Sequence, residues 1–206
     1  MVEINYVCSL GLLCHSSQLL KNNNLKKCSY PFDWIFSNCN TIIHCLKDNF
    51  KTFLDKSYYI SISEKQCGHK YYNDIMFNHH NPLDNIDDYN YFKRCINRFN
   101  DLLRFEKHKL FIMTYINMSN MDENIKNEII NFNDQFLNYS YNYTLLVIFN
   151  ISNKEKRYFN FTLHDNIHFL ELHTLSNSNG IFFEDDNDNI YLNTIINSTY
   201  NFNNIN

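Results

Sequence analysis

Cys14 stands where a thiol could become a nucleophile. The preceding residues, Ile4-Asn5-Tyr6-Val7-Cys8-Ser9, read as a short strand, and Leu10-Gly11-Leu12-Leu13 reads as a turn. Cys14-His15-Ser16-Ser17-Gln18-Leu19-Leu20 then opens a helix. A thiol at a helix start feels the positive end of the dipole and unpaired backbone N–H groups. That setting lowers a thiol pKa and favours attack on a carbonyl carbon. Gly11 marks the turn as demanding, because the chain has only three glycines. Taken alone, the segment reads more readily as a buried, inert cysteine after a turn.

Other residue groups could also do chemistry. Arg94 and Arg98 lie one helical turn apart and could clamp an anionic substrate group, although such pairs more often sit on a salt-bridged helix face. His164-Asp165, His168 and His173 have metal-ligating side chains, but on a strand only His164 and His168 would share a face. They read as scattered surface histidines, and no metal site is expected. Glu184-Asp185-Asp186-Asn187-Asp188 has the acidity of a calcium loop without its glycine and distal glutamate, so it reads as a solvated acidic turn. Seven cysteines in irregular spacing, with no CxxC, make neither a disulfide framework nor a zinc ribbon. Free thiols suit a reducing, cytoplasmic setting. No cofactor is called for.

Composition narrows the function classes. At 206 residues with 44% hydrophobic and 17% aromatic content, the chain reads as one globular domain. Asn occupies 36 positions and Ala none, a skew that follows codon supply in an AT-rich genome and carries no function. The net charge of −4 and the lack of any block of five like charges argue against nucleic acid as a partner. No run of 18 apolar residues and no basic leader occur, so neither a membrane span nor a signal peptide is expected.

The elements that must position any site follow from periodicity. A helix is expected over 41–54, with Ile42, Ile43, Leu46, Phe50, Phe53 and Leu54 on one face. Strands are expected over 58–62 and 71–77, leading into the loop Asn78-His79-His80-Asn81-Pro82. Asp87-Asp88 would cap a helix running to Phe105. The apolar runs 109–116 and 143–149 read as buried strands, separated by a helix over 122–137. Strands over 157–163 and 167–172 follow, then a short helix over 191–196 and a polar, frayed tail over 197–206. The alternation of helix and buried strand predicts a single α/β domain over 1–196, with a mostly parallel central sheet flanked by helices.

Four motifs are specific when taken together. They are Ser9-Leu10-Gly11-x-x-Cys14, Ser29-Tyr30-Pro31-Phe32-Asp33-Trp34-Ile35, Met76-Phe77-Asn78-His79-His80, and Tyr89-x-Tyr91-Phe92-x-Arg94-Cys95-x-x-Arg98-Phe99 followed by Leu110-Phe111-Ile112. Over residues 5–150 the chain resembles a family described as putative papain-like cysteine peptidases. The resemblance implies a thiol nucleophile at Cys14 and a proton-shuttling histidine at His79, with His80 as the neighbouring alternative. Successive residues of extended chain point to opposite faces, so one of the two histidines should reach Cys14. The motif assigns no third member. Asp33 is the candidate, with a helix cap or turn carboxylate as its other reading. Trp34, Arg94 and Arg98 are the candidate substrate contacts.

The resemblance also implies an alternative fold, the papain-like α+β arrangement with its cysteine on a long helix and its histidine on a later antiparallel sheet. The leading reading is a thiol-dependent hydrolase or acyl transferase acting on a peptide or isopeptide bond. The alternatives are an α/β esterase, a glycan- or nucleotide-modifying enzyme using Arg94 or Arg98, and a non-catalytic interaction protein. The substrate would be a peptide or a small molecule, and the sequence leaves the oligomeric state open.

Overall fold

The computed structural model describes residues 2–203 and 205. Its centre is a five-stranded sheet in the order β2-β6-β7-β9-β8. Strands β2 (Tyr6–Ser9), β6 (Lys109–Met118), β7 (Tyr143–Ile151) and β9 (Ile167–His173) run parallel, and β8 (Tyr158–His164) closes one edge antiparallel to β9. The two apolar runs are neighbours in this sheet, with Leu110 opposite Thr144 and Ile112 opposite Leu146. The chain is therefore an α/β domain with a mostly parallel sheet, as the alternation of helix and apolar run predicts.

Strand alternation divides the interior in two. Phe111, Met113, Leu145, Val147, Phe149 and Phe169 face one core, while Leu110, Ile112, Leu146, Ile148, Leu170 and Leu172 face the other. The first core is covered by α2 (Cys39–Lys47), α4 (Ile86–Arg104) and α5 (Glu123–Phe136). The second is covered by α1 (His15–Asn22) and α6 (Asp186–Thr199). Both faces being covered explains why the strands read as near-continuous apolar runs. The first core is rich in edge-to-face aromatic pairs, such as Phe53–Phe77 at 5.4 Å and Phe32–Phe99 at 5.5 Å.

A second sheet is inserted between α2 and α4. It is antiparallel, in the order β3 (Tyr59–Ser63), β4 (Gln66–His69), β5 (Asn73–Phe77). Strand β4 went unread in the sequence because it is short and holds Gly68. A Cβ there would lie 2.0 Å from the Asp74 carbonyl, so only glycine allows the two backbones to approach this closely. The antiparallel sheet carries His79 immediately after its last strand, so the molecule combines a doubly covered parallel sheet with a histidine delivered by an antiparallel one.

Several expectations need correction. The helix expected over 41–54 is broken into α2 and α3 (Lys51–Leu54), with Asn49 and Phe50 in the left-handed region. Phe50 still points inward, so the apolar spacing survives the break. Asn85, not Asp87 or Asp88, caps α4, accepting from the N–H groups of both aspartates. The acidic run 184–188 is not a solvated turn. Asp185 caps α6, and Asp188 is fully buried, bound by Arg157 Nε at 2.7 Å and by the Ser176 N–H and hydroxyl. Helix α6 starts five residues before the expected 191. Where a frayed tail was expected, 197–199 continue α6 and β10 (Tyr200–Asn201) pairs with β1 (Val2–Glu3), burying Tyr200. No helix among the described residues is long and apolar enough to cross a membrane.

Gly11 joins this scaffold to the candidate site. It adopts φ +80°, and a Cβ would lie 2.6 Å from both the Phe32 carbonyl oxygen and Ser37 Oγ. Gly11→Ala is expected to destabilise the fold by roughly 2 kcal/mol or more, since it adds left-handed strain to a backbone clash. Urea unfolding would measure this, and an unchanged midpoint would mean the turn relaxes freely.

Candidate functional site

The thiol is positioned by a braced turn. Strand β2 ends at Ser9, whose hydroxyl accepts the Gly11 N–H at 3.1 Å, and the Leu10 N–H extends the pairing to Ile112. Gly11 and Leu12 then turn the chain with φ of 80° and 72°. Left-handed backbone at a leucine is a strained conformation, held here by the Leu12 N–H to Ser37 Oγ bond at 3.1 Å. Cys14 caps α1, and the Ser16 hydroxyl fixes that helix to Thr114 on β6 at 2.9 Å. No side-chain hydrogen bond caps the start of α1, the end of the helix at which Cys14 stands.

The histidine arrives from the other sheet. Asn78, after β5, accepts a hydrogen bond from Gln66 Nε2 at 2.8 Å, and His79 follows it, exposed. His79 Nε2 lies 3.5 Å from Cys14 Sγ. The aromatic turn 30–37 aligns the two halves. It touches Gly11 through Phe32 and braces Leu12 through Ser37, and the Phe36 N–H donates to Met76 on β5 at 3.0 Å. Trp34 in the same turn packs edge-on to the His79 ring, with centroids 6.5 Å apart.

The two histidines part as extended chain requires. His80 turns away, with Nδ1 bonded to Asp88 at 2.9 Å and its ring stacked on Tyr91. It does not reach Cys14. Asp33 is fully buried but forms no bond with His79. Its Oδ2 accepts from Lys26 Nζ and from the Tyr30 N–H, while Oδ1 has no hydrogen-bond partner. It therefore anchors the aromatic turn rather than orienting the imidazole. Among the described residues, the one hydrogen-bond partner of the His79 side chain is Cys14.

Electrostatics also correct an expectation. The helix start was expected to lower the Cys14 thiol pKa. Burial pushes that thiol up, and the negative charge of Asp33 adds to the effect. Burial raises the Asp33 carboxyl as well, with Lys26 and the Tyr30 N–H acting against it.

The pair opens into a cleft of about 410 Å³ at the carboxyl ends of β2 and β6, where sites of α/β sheets lie. Leu13, Phe36 and Ile116 supply apolar surface, and Asn78, Asn117 and residues 178–181 complete the lining. Arg94 is exposed, Arg98 is tied to the Ser29 carbonyl, and neither lines the cleft. Trp34 reaches the site only through the His79 ring. His168 bonds Tyr200 and His173 bonds Glu171. Among the described residues, no group of three or more His, Cys, Asp or Glu could hold a metal.

The sequence did not reveal Asn117 and Ser178. Neither belongs to a motif, and folding brings both to the cleft beside Cys14. The one local signal was His15, next to the thiol, whose Nδ1 lies 2.7 Å from Ser178 Oγ.

A family model described as "Putative papain-like cysteine peptidase" matches residues 5–153, which include Cys14, Asp33 and His79. No curated protein and no solved structure matches the chain.

Proposed function

Since the chain belongs to the family described as putative papain-like cysteine peptidases, we propose that Cys14 and His79 are the nucleophile and base of a thiol-dependent hydrolase or acyl transferase acting on peptide or isopeptide bonds. The observation that carries this reading is the 3.5 Å approach of Cys14 Sγ to His79 Nε2 at the floor of an open cleft. The imidazole takes the thiol proton as sulfur attacks the carbonyl carbon. It returns that proton to the leaving amine as the C–N bond breaks, leaving a thioester on Cys14. Water then attacks the thioester and loses its proton to His79, and the departing sulfur regains a proton from it. A primary amine in place of water gives acyl transfer. The uncapped start of α1 offers backbone N–H groups to the oxyanion. A reading built on an anionic glycan or nucleotide loses its support, because neither arginine lines the cleft.

The test is to capture the thioester. Incubation with a neutral aryl thioester, quenched in acid, should add one acyl mass to Cys14. Hydroxylamine should remove it, and Cys14→Ala should not acquire it. Acylation spread evenly over the seven thiols, or none at Cys14, would end this reading.

A further inference from the structure

One wall of the cleft lies outside the residues matched by the family model, and it is built as firmly as the pair itself. Ser178 is locked to Asn117 by reciprocal bonds. Asn117 Nδ2 donates to the Ser178 carbonyl and the Ser178 N–H donates to Asn117 Oδ1, each at 2.7 Å. The Ser178 hydroxyl accepts the Gly180 N–H at 3.1 Å and lies within hydrogen-bond distance, 2.7 Å, of His15 Nδ1. Burial holds the His15 pKa down at about 4. Phe183 packs on the same ring, with centroids 4.7 Å apart. The residue next to the nucleophile thus clamps the 178–183 segment across the cleft from His79.

The chemistry of the lining is selective. Among the described residues, no Asp, Glu, Lys or Arg side chain lines the cleft. Asn78 and Asn179 both have their carbonyl oxygens occupied, by Gln66 Nε2 and by the N–H groups of Ile181 and Phe182. Their Nδ2 groups make no hydrogen bond among the described residues. Both therefore offer donors, which suit carbonyl oxygens of a bound acyl chain. Ile116 and Ile181 add apolar surface between them. A charged group entering here would lose water and find no counter-charge.

We propose that residues 178–181 are the specificity wall of the Cys14 site, admitting an uncharged acyl chain and rejecting a charged one, with Ile181 as the residue that sets this choice. The inference rests on the thiol-hydrolase reading. His15 acts as a positioning residue that holds the wall.

The test compares two acyl donors, p-nitrophenyl butyrate, which is neutral, and the mono-p-nitrophenyl ester of succinate, which carries a carboxylate. Acylation of Cys14 is followed by intact mass and normalised to the rate of each ester with free cysteine. The butyrate ester should be preferred by about tenfold, the factor that one modestly desolvated charge commands. Ile181→Lys should reverse that preference, while Ile181→Gln, which stays neutral, should keep it. Ile181 is only half-buried, so both variants should fold. Iodoacetamide labelling of Cys14 is measured in each variant, and the two ester rates are compared as a ratio within one variant, so a general change in thiol reactivity cancels and specificity is read apart from the identity of the nucleophile. Equal rates with the two esters, or a preference that Ile181→Lys does not move, would overturn the specificity wall and leave the thiol reading standing. Failure of both esters to acylate Cys14 would overturn both.

Discussion

Replacing His79 by alanine is expected to slow acylation of Cys14 at neutral pH by about a hundredfold or more, the usual contribution of a positioned general base. The reason is specific to this site. The thiol sits in a setting that raises its pKa, through burial first and the Asp33 carboxylate second, so it cannot ionise readily alone. In His79→Ala the labelling rate should follow the bare thiol, remaining low near neutrality and climbing only in alkaline solution. In the unaltered protein the imidazole carries the rate at neutral pH. His80→Ala should leave the labelling profile in place, because His80 is held by Asp88 and Tyr91 on the far side of the loop. That variant serves as the control for disturbing the loop. Equal losses from the two alanine variants, or no loss from His79→Ala, would remove His79 from the chemistry.

The parallel sheet was legible because both of its faces are covered. Strands buried on two sides become continuous apolar runs, and 109–116 and 143–149 stand out for that reason. The Cys14–His79 approach was legible only through motif resemblance, since 65 residues separate the two and no periodicity links them. Alternation in extended chain narrowed the choice to one histidine of two, and the structure turns His79 to the thiol. What stayed hidden falls into two kinds. The break at Asn49 and Phe50 is invisible to a helical pattern because Phe50 and Phe53 remain inward on both sides of it. The wall at 178–181 is hidden because its side chains bond mostly to backbone groups and to residues distant in sequence, which leaves no local signature.

Asp33 is buried and bonded to Lys26 and to the Tyr30 N–H, and its replacement gives the second large effect. This carboxylate lies inside the protein, close enough for its charge to raise the Cys14 thiol. Its partner, however, is Lys26, only 11% exposed, and not His79. Asp33→Asn removes the counter-charge from a nearly buried ammonium group. Breaking such a pair from one side is expected to cost roughly 3 kcal/mol, measurable by denaturant unfolding. The effect on the thiol has the opposite sign from that of a lost triad member. A negative charge near Cys14 disfavours its thiolate, so removing it lowers the thiol pKa and should speed iodoacetamide labelling at a fixed pH below that pKa. An orienting carboxylate would behave differently, because its loss would free the imidazole and slow the same reaction. Faster labelling in a less stable protein therefore identifies Asp33 as a structural charge that restrains the nucleophile. Slower labelling, in variant protein shown by circular dichroism to be folded, would restore it as the third member of a triad.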